Sequence, residues 1–566
     1  MSPDRRDRDP LDPDDEMAFD PGADDDADLD EIGDGTGRGS RGSRGSGRSG
    51  RGRTRSPADD DADGVDDWGT TRRARRRFPV SGRHVLAVAV VLVVAVAIVV
   101  GGSLLPTQRA RTVVSAAPLV GRTTSVCPAA FQDSADAADR PAATVSAVTI
   151  RSAPDRQGVL TGTLLAGGEP LLTVKQQGFG AQVKAPDAPL LLQATGAMST
   201  ASSGAILASA DTGELTGLSA APCTSPSTSQ WFVGVGAETT NRTELVLSNP
   251  DDAQAEVDLR FFGQSGRVVV PGSPGLVVPA HASRTVSLES LVAQTGPLSV
   301  WVRATSGRVS AMARDLRSVG LTPAGADWHP ASIGPRRALV VPGVPAGAGA
   351  RQLQLVNPSM TRALVTVSVL GATGAFSPVG AEQVEVPPES TVSASLDPGL
   401  AGQGAGIGLA ADRPVSAAVV STSSGTDADT GSAALPDIAV QPATPAVGRH
   451  GVGAIAAVTG TDGTLMLSNG GDTDTRVGFT IANLSGVTLR SDTMLVPAHG
   501  TSTRRLDPAA GASYVQVDVP DGALIYGAAD FAQSEGPVAG LTSLPITSPD
   551  LASRSRDAVP DPAVGR

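Results

Sequence analysis

The chain is 566 residues long, with 45 basic and 58 acidic side chains, a net charge of −13 and only 3% aromatic residues. That length holds three or four domains of ordinary size. The acidic balance excludes the basic footprint that marks a nucleic-acid partner.

The first 84 residues carry 21 acidic and 16 basic side chains, and the remainder 37 and 29. Residues 1–77 alternate in blocks: acidic from Asp12 to Asp34, an arginine–glycine–serine stretch from Gly37 to Arg55, acidic again from Asp59 to Asp67, then an arginine cluster. Almost nothing in this segment can be buried, so conformational entropy predicts a disordered tail. Asp59 to Gly64 imitates the start of a calcium loop, but the position that needs a bidentate Glu holds Thr70.

Val85–Leu105 follows, uncharged throughout. As a helix rising 1.5 Å per residue, its length matches a hydrocarbon core of ~30 Å. Arg72, Arg73, Arg75, Arg76, Arg77 and Arg83 precede it, and far fewer arginines follow closely. This asymmetry predicts a single-pass membrane protein with its N-terminus cytoplasmic and its C-terminus extracellular. The long segment ahead of the helix favours an uncleaved anchor over a signal peptide.

Beyond the helix the pattern changes to short apolar alternations, such as TELVL at 243–247 and EVDLRF at 256–261, broken by Gly, Pro, Asn, Asp and Ser. That pattern reads as strands of an all-β ectodomain. Helical periodicity is confined to a turn near Leu288–Ala293. Cys127 and Cys223, the two cysteines, bracket one domain-sized segment on the external side. There a single intrachain disulfide is expected, adding ~4–5 kcal/mol on the chain-entropy model.

A long-period search is more specific. Leu245-Val246-Leu247-Ser248-Asn249 recurs as Leu353-Gln354-Leu355-Val356-Asn357 and as Leu465-Met466-Leu467-Ser468-Asn469. Downstream lie Val278-Pro279-Ala280-His281, Val386-Pro387-Pro388-Glu389 and Val496-Pro497-Ala498-His499, each with a leucine ten residues after its Val: Leu288, Leu396, Leu506. The order and spacing predict three tandem immunoglobulin-like β-sandwich repeats over 228–330, 338–440 and 450–545, each with its own core. Residues 127–223 form a membrane-proximal β domain, either a divergent fourth repeat or a separate fold. Residues 546–566 read as a disordered tail. Asn249, Asn357 and Asn469 are read as structural turn residues that satisfy local main chain.

The chemistry-bearing residues do not assemble into a motif. His281 and His499 share one repeat position, where the middle repeat has Glu389, and are read as solvated turn residues. Asp427/Asp429 and Asp472/Asp474 read as acidic turns rather than a metal site, and Trp231, Trp301 and Trp328 as core packing rather than a glycan-binding face. The sequence predicts no catalytic, cofactor or metal residues and no small-molecule substrate.

An arginine-rich acidic tail, one helix, an early Cys127-Pro128 and repeats bearing L-x-L-x-N and V-P-x-x together resemble a family of actinobacterial membrane-anchored secreted proteins of unknown function. Members of that family tend to be encoded near glycosyltransferases of envelope assembly. The resemblance implies a cell-envelope role and transfers no active site. The expectation is a non-enzymatic, membrane-anchored protein that contacts an envelope protein or glycan. The alternative is an envelope enzyme or an accessory factor in cell-surface polysaccharide assembly.

Overall fold

A computed structural model of the chain describes residues 89–90, 92–94 and 121–549, apart from 132–140, 153–156, 294, 428, 456–459, 508–510 and 534–535. The tail 1–77, the arginines from Arg72 to Arg83 and most of Val85–Leu105 lie outside the described residues. The five described residues of that stretch are helical. Among the described residues no helix is long and apolar enough to cross a membrane. The chain divides into two units, 1–109 and 110–566; the fold below is that of the second.

This unit is all-β. Its described strands run antiparallel in seven sheets, and the helices are two single turns, Leu288–Leu291 and Asp397–Leu400. The last part shows the plan most simply. His450–Ile455, Ser513–Asp518, Thr475–Asn483 and Thr488–Val496 pair in that order in one sheet. Thr501–Leu506, Thr461–Asn469, Ile525–Gln533 and Leu541–Pro545 pair in the other. The two share one core, with Val477, Phe479 and Val515 from the first sheet against Leu465, Leu467 and Phe531 from the second. The stretches 122–222 and 229–329 form two sheets each as well. In 336–442 the 18-residue strand Ala405–Thr422 runs through both layers and joins them into one eight-stranded sheet.

Alternation explains the strand faces. Leu245, Leu247, Leu353, Leu355, Leu465 and Leu467 are wholly buried, as are Val278, Val386 and Val496. Asn249, Asn357 and Asn469 end their strands, also wholly buried. Each donates from Nδ2 to the carbonyl four residues on (Ala253, Thr361, Thr473; 2.8 Å each) and to the carbonyl of Val278, Val386 or Val496. Each accepts at Oδ1 the amide two residues on. One side chain thereby ties the end of its strand to the valine strand beside it. His281, Glu389 and His499 all take left-handed backbone (φ 52°, 49°, 49°). The two histidines are exposed and bond Asp252 and Asp472 (2.8 Å each).

Cys127 and Cys223 form a disulfide. The segment from residue 546, expected as a disordered tail, starts in ordered contact with the fold. Ile546 is buried in the last core and Thr547 bridges to Val452, so 546–549 belong to the folded unit.

The expectation of a separate core for each repeat holds only in part: 228–330 and 338–440 each have a core of their own residues, but further clusters are shared between parts. Ala205, Leu207, Leu218 and Ala220 of the first part lie in the same core as Val515 and Phe531 of the last. Met312, Leu316 and Trp328 of the second lie in the core of the first, and Trp231, Val233 and Phe262 pack on Val356, Val420 and Val440 of the third.

Candidate functional site

The four parts meet at their last strands. Gly217–Pro222 packs on Thr322–His329, that strand on Ile438–Pro442, that on Leu541–Pro545, and the last returns to the first, so the strands close a circuit around an axis. Each ends at a proline: Pro222, Pro330 just after His329, Pro442 and Pro545. Proline lacks an amide and ends central pairing, and all four line one cavity.

Two acids are enclosed on this axis. Asp437 Oδ2 accepts the amides of Leu218 (2.7 Å) and Leu541 (2.8 Å), and Oδ1 that of Ile438 (2.8 Å). Asp327 accepts the amides of Ala220 (2.9 Å) and Trp328 (2.7 Å) and the hydroxyl of Thr542 (3.0 Å to Oδ2). One carboxyl therefore holds main chain from two or three parts of the unit. Gly217 and Gly325 make room, since a Cβ at either would run into Asp437. Gly325-Ala326, rather than the similar Gly320-Leu321 of the preceding turn, thus occupies the place of Gly217-Leu218. Burial dominates the electrostatics. It pushes the Asp437 carboxyl up to about 8 against its amide bonds. Asp327 is raised well above the carboxylate range by burial, helped by the charge of Asp437. Nearby, buried Asp530 bonds Ser543 through Oδ1 (2.6 Å) and is pushed up to about 7 by burial, opposed by Ser543 and Arg351.

At the proline ends the axis opens into a cavity of about 440 Å³, within the usual size of a small-ligand site. Its wall draws on all four parts: Thr123–Ser125, Ser199, Ser202, Ser203 and Pro222–Ser225, then Pro330-Ala331, Pro442–Pro445 and Pro545–Pro549. Among the described residues no charged, histidine or aromatic side chain lines it.

Elsewhere, Thr243 donates to Asp315 Oδ1, and Asp315 Oδ2 meets His329 Nδ1 at 3.1 Å, all buried. The hydroxyl touches the acid rather than the imidazole, so this chain of contacts lacks the nucleophile–base bond of a catalytic triad. Despite the cost of burial, His329, Arg317 and Thr243 bring the Asp315 carboxyl below its ordinary range. Trp328 stacks on Phe131 (4.8 Å) and Trp231 on Trp301 (5.1 Å), with Arg260 above Trp301 (5.0 Å). Among the described residues no group of three or more His, Cys, Asp or Glu could hold a metal ion.

Reading the sequence alone, neither the axial acids nor the cavity stands out. Their available signal was an acid beside small or apolar residues shortly before a proline, in Asp327-Trp328-His329-Pro330 and Asp437-Ile438-Ala439-Val440-Gln441-Pro442. The site defines a class: an all-β protein whose axial strands are pinned by buried carboxyls below a preformed, uncharged cavity. The chain belongs to the DUF5719 family, a family of unknown function, which matches residues 174–509. No curated protein matches the sequence.

Proposed function

We propose that this is a non-enzymatic, single-pass cell-envelope protein. It holds an extracellular array of four tandem immunoglobulin-like β-sandwiches for contact with an envelope protein or glycan. Residues 122–222 would be the first copy. The matching plan of two strand layers per part, each part ending in an axial strand, supports the repeat reading. The charge asymmetry around Val85–Leu105 supports the topology.

The observation that carries the non-enzymatic reading is the use made of buried polar groups. Asp327 and Asp437 are engaged with main-chain amides, and among the described residues the hydroxyls in the cavity wall have no acid, histidine or lysine beside them in that wall to take a proton. Such a concavity is built to hold rather than to break bonds.

Two measurements test the proposal. Protease added to intact cells should remove a C-terminal tag and spare an N-terminal one; the reverse pattern overturns the topology. Affinity capture of the full chain from envelope membranes should recover a defined protein or glycan. Turnover of an envelope glycan by the purified chain would instead establish the enzymatic alternative.

A further inference from the structure

Few main-chain hydrogen-bond donors are left open to the axial cavity. Pro222, Pro330, Pro442, Pro445, Pro545 and Pro549 contribute no amide. The amides of Cys223, Thr224, Ala443, Thr444, Ile546 and Thr547 are committed to protein carbonyls at 2.8–3.2 Å. The hydroxyls of Thr123, Ser199 and Ser202 donate to the carbonyls of Ser199, Gly196 and Met198. Ser203 and Thr547 bond one another at 2.7 Å. What the wall presents is mainly proline rings, Leu160, Leu192, Ala194 and Ile546, with the hydroxyls of Thr124, Ser125, Ser225, Thr444 and Ser548 between them.

A phosphate or carboxylate entering here would shed water and meet no cation among the described residues of the wall, which costs several kcal/mol. A hydrocarbon sheds nothing polar and gains burial against the proline and aliphatic surface. Among the described residues the wall offers no aromatic face on which a sugar would pack. We infer that the axial cavity binds an uncharged, hydrocarbon-like ligand, an alkyl or isoprenoid chain, held where all four parts of the unit meet. This deepens the binding reading above, but it rests on the composition of the wall and not on membrane topology or envelope location.

The test uses the full chain in lipid nanodiscs and a probe, a sixteen-carbon alkanol carrying a mid-chain diazirine. After irradiation, cross-linked peptides are mapped by mass spectrometry. The expected result is labelling of the segments around Thr123–Ser125 and Pro545–Pro549, competed by unlabelled hexadecanol and not by maltotriose. Thr124, half-buried in the wall, gives two variants. Thr124→Trp narrows the cavity and Thr124→Lys places a charge in it. Each should lower cavity labelling about tenfold, a loss of roughly 1.4 kcal/mol, with the melting temperature unchanged. Should Thr124→Trp melt early, Ser225→Trp, at a more exposed position of the wall, takes its place. Labelling confined to Val85–Leu105, or cavity labelling that persists in folded variants, overturns the inference. So does competition by maltotriose but not by hexadecanol, which would assign the cavity to a glycan. None of these outcomes touches the tag-protection result, so the two proposals fail separately.

Discussion

Asp437, Asp327 and Asp530 set how the protein responds to pH. Each is buried with its carboxyl raised, to about 8 for Asp437 and about 7 for Asp530. The unfolded chain releases these protons near pH ~4, whereas the folded chain keeps those of Asp530 and Asp437 until pH about 7 and about 8. Between those limits the native state binds more protons, so stability falls as pH rises. The melting temperature should therefore drop from pH 5 to pH 8. Asp530→Asn, which keeps the shape and removes the titration, should flatten part of that slope; an unchanged slope would assign it to other groups. The repeated asparagines act through geometry instead. Asn357→Ala would remove the amide donor to the carbonyls of Thr361 and Val386 and the acceptor of the Ser359 amide. A loss of about 1–2 kcal/mol is expected, chiefly from the bond to the buried Val386 carbonyl. Chemical denaturation of the full chain measures it.

At the scale of strands, the alternation of Leu245, Leu247 and Asn249 made the all-β class legible, because each strand has one face in a core and side chains repeat every two residues. The axial strands were less legible for the same reason. Gly217–Pro222 and Ile438–Pro442 are buried on every residue, so they show no alternation. Their partners across the axis, unlike their ladder neighbours, are 100 residues or more away in sequence: Ala220 bonds Asp327 across 107 positions and Leu218 bonds Asp437 across 219. No local pattern encodes such a meeting. What the local sequence does carry is glycine where a neighbour comes close. Gly325 has φ 109°, and a Cβ there would stand 2.6 Å from the amide nitrogen of Ile438. Gly325→Ala adds left-handed strain to that clash. It should destabilise the chain by about 3 kcal/mol, whereas alanine at Gly320, with open space around it, should cost about 1 kcal/mol from its backbone alone. Equal melting temperatures for the two variants would remove the axial packing argument.

Across the whole unit, the decisive contact is the one that joins its beginning to its end. Tyr514 donates to the carbonyl of Gly178 (2.8 Å), Gly180 donates to that of Leu484 (2.9 Å), and Arg151 reaches the carbonyl of Gly486 (3.0 Å). Val148, Ile150 and Ala201 pack beside them on Val452, Ala482 and Tyr514. Independent tandem domains would confine damage to the domain that suffers it, but here Leu218, wholly buried, sits in one core with Leu465, Ala529 and Phe531. Leu218→Ala leaves a cavity shared by the first and last parts, at a cost of about 2–5 kcal/mol. Its consequence should therefore be read far from the mutation. Hydrogen exchange of the full chain should show lost protection in Thr461–Asn469 and Ile525–Gln533 as well as in Gly217–Pro222. The strand Ala255–Gly263, whose apolar side chains sit in a different core, should change least. Cooperative units are expected to follow shared cores rather than sequence order. If protection is lost only within residues 122–222, the circuit is a contact without energetic coupling, and the unit behaves as a row of separate domains.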